Sequence, residues 1–140
     1  MTHVPFNVSN PFGENAESAL ATSSWAGLQI TVRGGSQRRR TCVVEAVGPL
    51  DYYSASLLSA TYRRFRDDAA RTGLRRLILD LQGVVRFDLT GVAALLEIVR
   101  DAEQGRFGLF IADKPSRGVY AATGLDERLR FLRPNQIEAL

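Results

Sequence analysis

The sequence predicts one α/β domain with a mixed central sheet and helices packed against it. Its 140 residues suit a single core. Two runs, LRRLILDLQ at 74–82 and FGLFIA at 107–112, are almost continuously apolar, as strands covered on both faces are. Stretches with helical spacing alternate with them, so the order reads strand, strand, helix, strand, helix, strand, helix. The crossovers from Leu57 to Leu81 and from Val92 to Ile111 are each long enough to join parallel strands by a right-handed connection.

Residues 1–26 mix Asn, Ser, Pro, Gly and Thr without a period and are expected to form a flexible leader, leaving 27–140 as the domain. LQITVR (28–33), the turn GGSQ (34–37) and TCVVEAV (41–47) make a hairpin. In its second strand Cys42, Val44 and Ala46 share one face, and Val43, Glu45 and Val47 the other. Cys42 is therefore a core residue. GPLDYYS (48–54) turns and ends in Ser54, which can cap a helix over 54–72 whose apolar face is Leu58, Tyr62, Phe65 and Ala69. After Thr72-Gly73 the first apolar run gives a strand ending near Leu81, followed by a short loop. Val92, Leu95, Leu96 and Val99 set the face of a second helix over 91–104. FGLFIA is the next strand, SRGVYAATGL (116–125) a short helix closed by Gly124, and RLRFLRP (128–134) a last short strand or extended segment.

Several functions are excluded. The formal charge is +3, but the arginines at 38–40, at 63, 64 and 66, and at 71, 75 and 76 read as solvated faces and turn flanks. No groove-reading motif or interleaved aromatics accompany them, so no direct nucleic-acid partner is expected. No apolar run approaches the roughly 18 residues that span a bilayer, and the start lacks the basic and apolar blocks of a secretion signal. Membrane insertion is not expected, and the chain reads as cytoplasmic. Cys42 and His3 are the only residues of their kinds and lie far apart in sequence. With no metal-ligand spacing, phosphate-cradling loop or nucleophile elbow, the expectation is a non-enzyme with no catalytic residue, no metal and no cofactor.

FDLTG (87–91) holds the most unusual chemistry, because it places Asp88, Thr90 and Gly91 where a strand gives way to a helix, the end of an open α/β sheet where function gathers. Thr90 reads as a helix cap worth roughly 1 kcal/mol. Asp88 suits the positive end of the helix, Gly91 suits a close backbone approach, and Asp51 suits a helix start.

The succession GPLD (48–51), LILDLQGV (77–84), FDLTG (87–91), FGLFIADKP (107–115) and a terminal IEAL (137–140) resembles the STAS domain family, particularly bacterial anti-sigma factor antagonists. The resemblance implies a regulatory binding module. Its partner would be an anti-sigma factor with serine/threonine kinase activity, its phosphoacceptor Thr90, and a phosphatase would reverse the modification. Asp51, Asp88, Leu89, Thr90 and Gly91 would form the partner surface, with Asp80 supporting the loop. Leu89 stands where the family usually carries a first hydroxyl. The alternative is a STAS scaffold that is never phosphorylated, in a signalling assembly or beside a lipid transporter.

Overall fold

Strands dominate the first third of the fold, then alternate with helices. The computed structural model describes residues 20–34, 40–105, 108–133 and 136. Strands β1 (Leu20–Trp25), β2 (Leu28–Gly34) and β3 (Thr41–Leu50) lead into helix α1 (Ala55–Thr72). Strand β4 (Arg76–Phe87), helix α2 (Leu89–Gln104), strand β5 (Gly108–Ala112), helix α3 (Gly118–Thr123), a 3-10 turn at Leu125–Glu127 and strand β6 (Phe131–Leu132) follow. The six strands form one sheet in chain order. The first three pair antiparallel, whereas β3 to β6 run parallel. This is the mixed α/β sheet that the alternation of apolar periods predicts.

Alternation sorts each strand between two environments. Leu28, Ile30 and Val32, then Cys42, Val44 and Ala46, join Leu79, Leu81 and Ile111 in the main core. All three helices contribute to that core: Leu58, Tyr62 and Phe65 from α1, Val92, Leu95 and Val99 from α2, and Tyr120 from α3. A smaller cluster, Val43, Ile78 and Ala112, lies on the opposite face. Cys42 is buried as expected, and burial pushes its thiol pKa well up. Gly73 and Gly124 end α1 and α3 with φ of 74° and 76°, the left-handed torsion that favours glycine.

The structure corrects three expectations. First, the stretch read as leader contains β1, which pairs with β2 from Leu20↔Arg33 to Trp25↔Leu28. LATSSW carries no apolar alternation because β1 is an edge strand. Residues 1–19 lie outside the described residues, as do most of the expected 34–37 turn and the terminal IEAL. Second, β4 does not stop near Leu81 for a loop but continues to Phe87. Its first five residues pair with β5, whereas the rest pair only with β3, through two register shifts. One edge is then open, and the apolar run that marks a doubly flanked strand ends. Third, Ser54 occupies the position before α1 but makes no side-chain capping bond. Its hydroxyl accepts from the Asp51 amide at 3.0 Å and lies 2.7 Å from the Pro49 carbonyl.

Candidate functional site

The parallel arrangement brings the end of β3, the end of β4 and the start of α2 together. Asp88 locks them. It is the residue before α2, with extended φ and ψ of −114° and −175°, and its Oδ1 accepts the Gly91 amide at 2.9 Å. Its Oδ2 accepts the Tyr52 amide at 2.8 Å, from the β3–α1 turn. The Asp88 amide donates to the Leu50 carbonyl at 3.3 Å. Gly91 lets the helix approach β3 this closely, since a Cβ there would stand 2.1 Å from the Leu50 oxygen.

Asp51 organises the facing turn. Its Oδ1 accepts the Tyr53 and Ser54 amides at 3.0 and 3.2 Å, and its Oδ2 accepts from Arg86 at 3.2 Å. Burial raises the carboxyl pKa, but hydrogen bonds from Ser54 and the two amides, with the Arg86 charge, outweigh it and hold the group below its usual range.

The sequence-derived residues Asp51, Asp88, Leu89, Thr90 and Gly91 thus meet at one end of the sheet, and their surroundings divide them. Asp51 and Gly91 are buried, and both Asp88 oxygens are engaged with backbone amides. Thr90 and Leu89 face solvent in the first turn of α2, and Leu89 is 83% exposed. Thr90 does not cap the helix. Asp88 does, because it immediately precedes the first helical residue, and the Thr90 hydroxyl has no hydrogen-bond partner among the described residues. Among the described residues Asp80 makes no hydrogen bond or ion pair with this segment. It bonds the Gln82 amide and side chain at 3.1 and 3.0 Å beside the first register shift, and so shapes the path of β4 farther back.

Sequence reasoning named Leu89 but missed the other exposed hydrophobics of these segments. Tyr52 and Tyr53 are 71% and 70% exposed, with rings edge to face 5.3 Å apart. Val47 and Val85 are also exposed, and with Leu89 these complete the large exposed hydrophobics among the described residues. All five lie between 47 and 53 or 85 and 89, on the segments that Asp88 joins. The available signal was the pair of tyrosines in a turn, outside the α1 apolar period. The arrangement exposes apolar side chains on segments whose carboxylates, Asp51 and Asp88, are satisfied from within, with the Thr90 hydroxyl exposed beside Leu89. Among the described residues no cluster could hold a metal ion, and no helix is long and apolar enough to cross a membrane.

A family model for the STAS domain matches residues 35–135. The chain belongs to the STAS domain family. Among solved structures it is similar to the unphosphorylated form of the anti-sigma factor antagonist SpoIIAA, with a TM-score of 0.57, 14% identity, and 79% of this chain and 93% of that chain covered. It is also similar to the phosphorylated form of SpoIIAA, a Bacillus cell fate determinant, with a TM-score of 0.54, 17% identity, and 76% and 94% coverage. At such identities the likeness is one of fold. A longer protein, Mglu, matches with a TM-score of 0.47 and 22% identity over 56% of this chain, which spans only 18% of Mglu. No curated protein matches the sequence.

Proposed function

We propose that this STAS domain is an anti-sigma factor antagonist, docking a cognate anti-sigma factor with serine/threonine kinase activity and released when that kinase phosphorylates Thr90. It would act in the cytoplasm on sigma-factor-dependent transcription, with a phosphatase restoring the binding form. One observation carries the reading: Thr90 is exposed beside Leu89, at the end of the sheet where the exposed hydrophobics gather. The fold likeness to SpoIIAA, solved in unphosphorylated and phosphorylated forms, supports it.

The physics of a switch follows from that position. A phosphate adds about −1.5 to −2 charge, which a helix N-terminus tolerates in the free protein. In a complex the same group must be desolvated against an apolar surface. A penalty of about 3 kcal/mol lowers affinity roughly a hundredfold, enough to release a moderately bound partner. In this reading Tyr52, Tyr53, Val85 and Leu89, all exposed, present the binding surface, while Asp51 and Asp88 hold its segments in place.

The test is incubation with the candidate anti-sigma kinase and ATP, followed by intact mass and site mapping, with binding measured in parallel. Thr90→Ala is expected to bind without accepting phosphate, and Thr90→Glu to fold normally and bind more weakly. Phosphate on another residue, or equal binding by the phosphorylated form, overturns the switch. The second reading, a constitutive scaffold, then takes its place. The prominence of Leu89 next to Thr90 favours that reading, since an apolar side chain there serves docking whether or not the hydroxyl is modified.

A further inference from the structure

Beyond Ala112↔Asp80, β5 no longer accompanies β4, and Leu81 to Phe87 run on with no strand beside them on that edge among the described residues. One side chain takes the place of a strand. Arg117, immediately before α3, donates from Nη1 to the Val84 carbonyl at 2.9 Å and from Nη2 to the Leu81 carbonyl at 3.3 Å. Its other donors grip Asp113, at the end of β5, through Nε at 2.8 Å and Nη2 at 3.1 Å. The Asp113 side chain is only 1% exposed and also accepts the Tyr120 hydroxyl at 2.5 Å and the Lys114 amide at 2.8 Å. The guanidinium lies 5.4 Å from the Phe87 ring centre, and the Tyr120 ring meets that ring edge-on at 5.9 Å. Phe87 is the residue before Asp88.

We infer that Arg117 is a positioning residue for the Leu89–Thr90 segment: braced by Asp113 and Tyr120, it replaces the missing strand on the open edge of β4 and sets where the start of α2 stands. The planar fork is what the job requires. It makes four directed bonds to two separate segments while its Cζ sits over the Phe87 ring. An ammonium offers a point charge with three donors and cannot reach both carbonyls and grip the carboxylate in two places. The inference deepens the docking proposal, because α3 thereby becomes part of the machinery that presents Thr90.

Amide exchange on the full chain, without any partner, tests it. Protection should be followed by mass spectrometry in a peptide covering 84–91 and compared with one from the β2–β3 pair. Arg117→Ala is expected to speed exchange in 84–91 at least tenfold more than in β2–β3, and Arg117→Lys is expected to behave like Arg117→Ala. Rescue by lysine would reduce the role to an ion pair, and an equal rise in both peptides would reduce it to general stability; either overturns the inference. Should Arg117→Ala not fold, Tyr120→Phe, which removes only the hydroxyl bracing Asp113, is expected to give the same local pattern at smaller amplitude, and no local change there overturns it. Because no kinase or partner is involved, a selective effect in 84–91, together with a Thr90 that takes no phosphate in the separate incubation with kinase and ATP, would sink the switch and leave the positioning role standing.

Discussion

Asp88 uses its two oxygens for two elements, and Asp51 divides its own between the turn after β3 and Arg86 of β4. Both stood out in the motifs GPLD and FDLTG that carry the family resemblance, but the inward orientation of Asp88 was not legible, since it depends on a partner amide 36 residues away. A carboxylate with its bonds satisfied internally serves the fold first. Asp88→Ala should therefore cost about 1–2 kcal/mol through the lost cap, read by chemical denaturation. Gly91→Ala should cost about 1–3 kcal/mol, because a methyl group cannot share space with the Leu50 carbonyl. For Asp51 the sign follows from its lowered pKa. The ionised form stabilises the native state above the ordinary value of 3.8, and that contribution disappears as pH falls through the lower native value. Asp51→Asn should lower the melting temperature at neutral pH and flatten its acid limb below about pH 4. Parallel acid limbs for the two proteins would show that Asp51 is not the titrating group.

At the scale of elements, the proposed docking surface would consist of ends rather than middles: the turn after β3, the open stretch of β4 and the first turn of α2. Helices α1 and α2 were readable because their apolar faces recur with the helical period, and all of Leu58, Tyr62, Phe65 and Ala69 are buried. The end segments follow no period, which is why Tyr52, Tyr53 and Val85 escaped notice while the buried strands did not. Truncating these exposed side chains should separate binding from folding. Tyr52→Ser and Leu89→Ser are each expected to keep stability within about 0.5 kcal/mol while weakening partner binding at least tenfold in a titration. Unchanged binding in both variants would move the interface elsewhere. A contrasting pair is Tyr62 and Asp101, which join α1 to α2 at 2.6 Å. Burial and the neighbouring carboxylate push the Tyr62 phenol pKa up, so it stays protonated as the donor. Tyr62→Phe should cost roughly 1.5 kcal/mol without altering docking.

In the whole molecule the sheet begins earlier than the sequence suggested. A chain starting at residue 27 should melt several degrees below one starting at residue 20, because only the shorter one loses β1; equal melting temperatures would mean that β1 adds nothing to stability. The parallel order of β3 to β6 has a further consequence, in time rather than space. The bond from Tyr52 to Asp88 spans 36 residues, and that from Arg117 to Val84 spans 33. During synthesis a ribosome delivers residues at roughly 5–20 per second, so the turn carrying the tyrosines waits several seconds for Asp88 and Arg117 to emerge. Until α3 has left the exit tunnel the Leu89–Thr90 end lacks its brace, and an unfinished chain cannot present the surface through which the finished one would be recognised.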